Sequence, residues 1–155
     1  MKVAITIPIY HSSDLLLDFT KQTLESIKSE NNDIYIYLIN NFSKPEFYPK
    51  EEMFQLNRAV GDVGGVRDFR VIDNPKGNEV GAAWNLGIKT GLEAGCDFAI
   101  VMNNDLVLHY KCIDNLVAFA DTHPEFLLWT ASEWIDIRTI GGIKELEHSW
   151  SALTN

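Results

Sequence analysis

A run of apolar residues at positions 98–102 leads directly into Asn103, Asn104 and Asp105. Because this run has no polar face, it predicts a strand that is covered on both sides, as in the parallel sheet of an α/β domain. Side chains at the carboxyl end of such a strand point into the crevice where open α/β sheets bind ligands. The carboxylate and the two amides therefore suit a divalent cation, a ribose or a sugar. The alternative is an ordinary cap between strand and loop.

The rest of the chain alternates between β-rich runs and amphipathic helical segments. The hydrophobic periodicity predicts strands at 3–9, 34–39, 69–72, 98–102 and 126–130, and helices at 15–29, 79–93 and 110–122. A short helix is also expected at 51–60, after the prolines at positions 45 and 49. This alternation indicates an α/β fold, in which three layers place helices on both faces of a mostly parallel sheet.

Length and charge limit the classes of function. The chain has 155 residues, of which 46% are hydrophobic, so it is long enough for one well-cored domain but not for two. Lys and Arg total 13 against 22 Asp and Glu, and the net charge of -9 repels nucleic acids and anionic membranes. An anionic small ligand would need local help from a metal ion, a helix N-terminus or a single lysine.

The sequence has no pattern typical of a signal peptide or a membrane anchor. The first strand begins directly after Met1 and Lys2, and no segment approaches the ~18 continuous apolar residues of a membrane span. Cys96 and Cys112 lack the spacing of a zinc or redox motif, which predicts free thiols in a reducing compartment. We therefore expect a cytoplasmic protein; the alternative is one part of a larger or membrane-associated assembly.

Two faces are predicted for the helix at 79–93, with Asn78 placed to cap it. A polar flank at Asn78, Gly81, Asn85 and Lys89 either lies along a ligand at the crevice or forms a solvated edge. The predicted core stripe consists of Val80, Ala83, Trp84, Gly87, Ile88 and Leu92.

The glycine cluster at 61–65 lacks the spacing of a phosphate-binding loop, so it is interpreted as a connection.

Three predicted strands end on polar residues. The first is followed by residues 10–14, the second by Asn40 and Asn41, and the fourth by residues 103–105. In a doubly wound sheet, the strand ends nearest the switch in strand order meet at one crevice. We therefore expect these three ends to converge on one site.

Taken in this order, residues 3–10, 38–43, 74–88 and 103–105 resemble the nucleotide-sugar half of a family 2 glycosyltransferase of the GT-A fold, with a rhamnosyltransferase-like Asn-Asn-Asp. The resemblance extends to about Ser132. It implies that strand one lies between strands two and four, with the nucleotide across their carboxyl ends. The implied reaction transfers a sugar, with inversion, from a nucleotide-diphosphosugar to an acceptor glycan or lipid-linked sugar in polysaccharide or glycoconjugate synthesis.

The resemblance also implies roles for individual residues. Tyr10 would pack its ring against the base, and Asn40 stands where the family usually has an aspartate that hydrogen-bonds the base edge. Asp105 is the expected ligand of the Mg²⁺ or Mn²⁺ ion that bridges the diphosphate. The other residues expected to bind the nucleotide-sugar are Pro8, Ile9, Asn41, Asn78, Gly81, Asn85, Asn103 and Asn104.

Two departures from the family pattern bear on activity. The family's metal element usually contains two or more carboxylates, whereas Asp105 stands beside two asparagines. A metal ion held mainly by phosphates and water needs only one or two protein carboxylates, so the site is retained as an expectation. The family's catalytic base resembles a Glu-Asp pair, which this chain lacks, and the base is therefore unassigned. The acids beyond residue 130 are Glu133, Asp136, Glu145 and Glu147.

We therefore expect residues 1–155 to form a single donor-binding domain of the GT-A type that lacks the acceptor-binding C-terminal part. One alternative is a catalytically inactive nucleotide-binding or scaffold module of the same fold. Another is a sugar-1-phosphate nucleotidyltransferase, although its glycine-rich basic loop near the first strand is absent. Exposed tryptophans at positions 134 and 150 would favour a homo-oligomer.

Overall fold

A computed structural model describes residues 1–54, 65–77 and 79–125. Their strands are β1 (Lys2–Ile9), β2 (Asp33–Asn40), β3 (Val66–Asp73) and β4 (Phe98–Val101). Their α-helices are α1 (Asp14–Ser26), α2 (Val80–Glu93) and α3 (Cys112–Thr122), and 3-10 helices occupy Pro45–Phe47 and Glu51–Phe54.

The strands form one sheet in the order β3-β2-β1-β4, and all of its pairings are parallel. β1 lies between β2 and β4, as the family resemblance implied. Parallel strands need a crossover connection, and α1 lies in the one between the neighbours β1 and β2. α2 lies in the connection from β3 to β4, which are at opposite edges of the sheet. The predicted parallel α/β architecture is therefore confirmed.

Alternate residues of β1 face opposite layers, as the period of two in a strand requires. Val3, Ile5 and Ile7 are fully buried in a core that contains residues of α1 and α3. Ala4 points the other way, into a second core that contains Ala83 of α2. Helices therefore cover both faces of the sheet, which confirms the predicted three layers.

The interface between α2 and β1 is built from small residues. Ala83, Gly87 and Gly91 are the buried residues of α2, at a spacing of four. A Cβ added at Gly87 would overlap the Thr6 side chain, and one added at Gly91 would overlap the Cβ of Ala4. The helix backbone therefore lies directly on β1.

The predicted core stripe of α2 is partly wrong. Ala83 and Gly87 are buried as expected, but Val80 is 46% exposed and Leu92 is 57% exposed. The reason is the close approach at Gly91, which turns the glycine face of the helix toward the sheet and leaves the larger residues on the flanks. Glu79 holds the cap position rather than Asn78, which lies outside the described residues.

The prediction that β4 is covered on both sides is also wrong. Phe98 and Ile100 pack against the core on the side of α1 and α3, whereas Ala99 and Val101 are exposed on the opposite side. The reason is that β4 is the outermost described strand at its edge of the sheet, whereas α2 packs mainly on β1. α2 therefore covers β4 less fully than it covers β1. The predicted strand at 126–130, Trp134 and Trp150 lie outside the described residues.

Other element bounds differ from the predictions by a few residues. α1 ends at Ser26 rather than at position 29, because Ile27 adopts an extended conformation and is fully buried. Ser13 caps the helix, and its side chain accepts a hydrogen bond from the Leu16 amide at 3.5 Å. β3 begins at Val66, three residues before its predicted start. Of the helix predicted at 51–60, the described part is the 3-10 helix Glu51–Phe54.

Candidate functional site

β1 and β4 separate at their carboxyl ends. The paired register ends at Thr6 and Val101, and the Met102 amide donates one last hydrogen bond to the Thr6 carbonyl at 3.1 Å. Pro8 comes two residues after Thr6, so its nitrogen is on the same side, where it has no hydrogen to donate. The two strands diverge here, and we call the space at the carboxyl ends of β1, β2 and β4 the crevice.

The segments that follow β1 and β2 are joined directly. The Asn41 amide donates to the Ile9 carbonyl at 2.8 Å, and the His11 amide donates to Ser43 Oγ at 2.8 Å. The Lys44 amide donates to the His11 carbonyl at 2.9 Å. Two of the predicted polar strand ends therefore form one hydrogen-bonded unit.

The segment after β4 joins this unit through Thr20 of α1. Asn104 Nδ2 donates to Thr20 Oγ1 at 2.9 Å, and His11 Nε2 lies 2.8 Å from the same oxygen. The Thr20 hydroxyl also donates to the Leu16 carbonyl at 3.1 Å. The contacts of Thr20 with Asn104 and His11 bring all three predicted strand ends together.

Two further hydroxyls of α1 hold the residues around Asp105. Thr23 Oγ1 accepts from the Leu106 amide at 3.2 Å, and Ser26 Oγ accepts from the Leu108 amide at 3.0 Å. Thr20, Thr23 and Ser26 lie three residues apart, so they form a row along one face of the helix. Asp105 lies between two anchored neighbours and is itself exposed.

Sequence reasoning missed this row of hydroxyls. The apolar stripe of α1 was visible in the sequence, but the threonines between its members were not distinguished from ordinary polar residues. Their burial is the signal: Thr20 and Thr23 have no exposed surface. A buried hydroxyl cannot hydrogen-bond to bulk water, so it needs a partner within the protein. Both threonines have such a partner in the segment after β4.

A second network joins the ends of β2 and β3. Asn40 Nδ2 donates to Asp73 Oδ1 at 2.8 Å, and Asn40 Oδ1 accepts from the Ser43 amide at 3.0 Å. The Tyr48 hydroxyl lies 3.0 and 2.9 Å from the two oxygens of Asp73. This hydrogen bond to Asp73 raises the pKa of Tyr48, and desolvation adds to the effect.

Asn41 is bound to Asn74, the residue that follows β3. Asn74 Nδ2 donates to Asn41 Oδ1 at 2.7 Å and to the Gly77 carbonyl at 2.7 Å. The Asn74 amide donates to the Asn40 carbonyl at 2.9 Å. Asn74 therefore fixes the start of the connection to α2 against the end of β2, and β3 contributes a fourth polar end to the site.

The remaining predicted site residues divide by exposure. Ile9 is 1% exposed and belongs to the core, and Pro8 is buried too. Tyr10 is 46% exposed at the end of β1. Asn78 lies outside the described residues, so the predicted polar flank is described only in part. The exposed members of the predicted set are Tyr10, Gly81, Asn85, Asn103 and Asp105.

Phe42 is an aromatic residue of the crevice that sequence reasoning did not single out. Its φ is 59°, the one positive value among described non-glycine residues, and its side chain is 61% exposed. Its ring lies beside Gly77, where an added Cβ would be 3.1 Å from Phe42 Cε2. An exposed bulky residue in this strained conformation is typical of a functional position.

The side chains near the crevice limit how a divalent metal ion could be held. Among the described residues, no group of three or more His, Cys, Asp or Glu side chains could hold a metal ion. Asp105 has an exposed carboxylate that makes no hydrogen bond or ion pair within the described part of the chain. The residues present therefore fit an ion whose other ligands are phosphate and water, and they do not fit a cage made by the protein alone.

Within residues 1–54, 65–77 and 79–125, no helix has both the length and the apolar character needed to cross a membrane. The acids at positions 133, 136, 145 and 147 lie outside the described residues.

The chain was compared with known families, curated proteins and solved structures. The family model described as "Glycosyl transferase family 2" matches residues 4–139, which include β2–β4, α1–α3 and all but the first two residues of β1. No curated protein and no solved structure matches the chain. The family resemblance of the sequence is therefore confirmed, and the parallel α/β sheet agrees with the GT-A architecture.

Proposed function

Because the chain belongs to glycosyl transferase family 2, we propose that its crevice binds a nucleotide-diphosphosugar together with Mg²⁺ or Mn²⁺. The family assigns transfer of a sugar from a nucleotide-sugar donor to an acceptor. The observation that carries the proposal for this site is the anchoring of Asp105. Its neighbours Asn104 and Leu106 are hydrogen-bonded to α1, while its own carboxylate is exposed at the crevice.

Asp105 would hold the metal ion, with the diphosphate and water completing the coordination shell. When bound, the ion supplies positive charge that stabilises the departing nucleoside diphosphate. The donor is an anion, and a protein with a net charge of -9 repels it. A bound cation would reduce this repulsion. The single carboxylate makes the ion and the donor mutually dependent ligands.

The other residues of the crevice would orient the donor. Tyr10 offers an exposed ring as a wall for the base, and Asn103 and Asn104 offer amides to the ribose or the phosphates. Gly81 and Asn85 lie on the exposed flank of α2, and in this proposal they would face the sugar. Asn41 acts indirectly, since its side-chain oxygen accepts a hydrogen bond from Asn74.

We infer an inverting transfer, in which a carboxylate base removes the proton of an acceptor hydroxyl on a glycan or a lipid-linked sugar. No described residue is assigned this role. The proposed context is polysaccharide or glycoconjugate synthesis, with the sheet and its crevice as the donor-binding part. The Asn-Asn-Asp sequence at 103–105 resembles that of rhamnosyltransferase-like members of the family.

Titration calorimetry with UDP, dTDP and GDP, each with and without Mn²⁺, tests the proposal. At least one nucleotide should bind about tenfold more tightly with Mn²⁺, and Asp105→Ala should abolish this gain because the adjacent Asn103 and Asn104 are uncharged. Asp121→Ala is the matched control, since Asp121 is an exposed carboxylate at the end of α3. Equal Mn²⁺ dependence in Asp105→Ala would contradict the proposed metal ligand.

A second candidate is a nucleotide-binding module of the same fold without catalysis. It is favoured by the absence, among the described residues, of a group of acids able to hold a metal ion. This module would bind a nucleoside diphosphate equally well with and without Mn²⁺. It would also release no nucleoside diphosphate from the matching nucleotide-sugar when incubated with acceptor glycans.

A further inference from the structure

The side chains of Asn40 and Asp73 are paired at the ends of neighbouring strands. The two residues are register partners in the parallel pairing of β2 with β3, and Asn40 Nδ2 donates to Asp73 Oδ1 at 2.8 Å. The two positions differ in exposure. Asn40 is 5% exposed, whereas Asp73 is exposed at the edge of the crevice.

The amide of Asn40 is largely committed to the protein. Its oxygen accepts from the Ser43 amide at 3.0 Å, and one of its N–H groups is used by Asp73. A buried acceptor that is already satisfied by a backbone amide is costly to redirect toward a ligand. Asn40 therefore offers a ligand one remaining N–H donor and is poorly placed to accept.

The carboxylate of Asp73 has capacity left. The Tyr48 hydroxyl and Asn40 Nδ2 donate to it, and an ionised carboxylate has about four acceptor positions. No lysine or arginine of the described chain forms an ion pair with it. The two protein donors orient the group while its other acceptor positions face solvent.

We propose that Asp73, held by Asn40 and Tyr48, is the residue that selects the base of the bound nucleotide; this inference rests on the proposed function. A carboxylate only accepts hydrogen bonds, so it matches the ring N–H of uracil, thymine or guanine. It opposes adenine and cytosine, whose ring nitrogen at this edge presents a lone pair. The free N–H of Asn40 then matches the base carbonyl beside that ring N–H.

The test measures base preference with Mn²⁺ present. Calorimetry with UDP, dTDP, GDP, ADP and CDP should show that the best of the first three binds the wild-type protein about tenfold more tightly than ADP or CDP. Asp73→Asn should reduce this ratio to about threefold or less, because an amide accepts and donates. Asp68→Asn is the matched control, a carboxylate on the same strand that pairs with Arg70.

Tyr48→Phe separates recognition from a structural role. It removes the hydroxyl that contacts Asp73 but keeps the carboxylate, so affinity should fall while the base preference remains. A wild-type ratio that survives in Asp73→Asn, or that is lost equally in Tyr48→Phe, would overturn the inference.

A change in the ligand provides a test that needs no variant. If UDP is the best ligand, N3-methyl-UDP should bind the wild-type protein about tenfold more weakly, because methylation replaces the ring N–H. Equal binding of UDP and its N3-methyl form would overturn the role of Asp73 and leave the proposed function standing. Failure of all five nucleotides to bind would instead refute nucleotide binding itself, and the inference with it.

Discussion

Single side chains decide how the crevice is held together. The Thr20 hydroxyl contacts three partners, which are the Leu16 carbonyl, Asn104 Nδ2 and His11 Nε2. His11 is fully buried, so its ring is surrounded by protein rather than by water. One hydroxyl thus links the segments after β1 and β4.

Burial of His11 makes stability depend on pH. Desolvation lowers the pKa of His11 below its ordinary value of 6.5, although the backbone of Phe47 opposes the shift. The unfolded chain therefore binds this proton more readily, and stability is lost as pH falls below 6.5 toward the folded pKa. Urea unfolding at about pH 7.5 and 5.5 should show a loss about 1 kcal/mol smaller in His11→Gln than in the wild type.

The difference between the two proteins isolates this residue. Asp33 and Asp114 also have lowered pKa values, Asp33 chiefly through its hydrogen bond to Arg67 and Asp114 through hydrogen bonds that outweigh desolvation. Both carboxyl groups change the free energy of unfolding with pH by the same amount in the wild type and in His11→Gln, so their effects cancel in the comparison. An identical pH dependence of unfolding in His11→Gln would show that His11 is not held neutral.

At the scale of elements, α1 serves as the anchor for the segment after β4. A helix normally satisfies its own backbone, yet Thr20, Thr23 and Ser26 extend hydrogen bonds to a segment more than 80 residues away along the chain. The hydrogen bonds to α1 therefore fix the position of the segment that carries Asp105.

Thr23→Val should loosen this anchor. Valine preserves the volume of the side chain but leaves the Leu106 amide without its acceptor, at a cost of about 1–3 kcal/mol in the free energy of unfolding. The Mn²⁺-dependent gain in nucleotide affinity should fall about threefold or more, because Asp105 precedes the freed residue. Thermal unfolding and calorimetry measure the two effects.

Thr90→Val is the matched control for this change. The Thr90 hydroxyl donates to the Leu86 carbonyl of its own helix at 2.8 Å and anchors no other segment in the described chain. Its loss should leave the Mn²⁺ dependence of nucleotide binding unaltered. Equal effects of the two valines on that dependence would exclude a specific anchoring role for α1.

The contact of α2 with β1 leads to a prediction about glycine. Gly91→Ala should destabilise the protein by about 1–3 kcal/mol, because the new methyl group would overlap the Ala4 Cβ, which no rotation can move. Gly81→Ala provides the comparison, since it has open space around the new Cβ and should gain up to about 1 kcal/mol. Chemical denaturation that finds the two substitutions equivalent would contradict the packing of α2 on β1.

The whole molecule is acidic, and its charge acts over a longer range than any single contact. With a net charge of -9, the protein repels a nucleoside diphosphate before the two meet. Salt screens exposed charges beyond a Debye length of about 8–10 Å near physiological ionic strength. This repulsion is the opposite of what a basic nucleotide-binding surface would produce, since such a surface attracts the phosphates.

Metal-free binding should therefore respond to salt in an unusual direction. UDP, dTDP or GDP, whichever binds, should bind about two- to fivefold more tightly in 150 mM than in 10 mM NaCl when no divalent ion is present. With Mn²⁺ the ligand carries less charge, and the effect should shrink. Affinity that falls steadily with added salt would indicate a cluster of cations at the site and would contradict this expectation.

The elements could be predicted from the sequence because their signals are local. Strand and helix periods repeat within a few residues, so β1, β2, α1 and α3 were found close to their observed positions. The polar ends at Tyr10, Asn40 and Asn104 were visible for the same reason. Their meeting followed from a general rule of parallel sheets, and the hydrogen bonds of His11 and Thr20 bear it out.

The sequence by itself determined an acidic α/β chain of family 2 with its polar residues at strand ends, since hydrophobic period and motif order are properties of neighbouring residues. Only the tertiary structure decided that glycines of α2 face the sheet, that α1 holds the segment around Asp105, and that Asp73 stands beside Asn40. These outcomes depend on which side chains meet across the fold. Such pairings are set by packing between distant segments, and no local pattern encodes them.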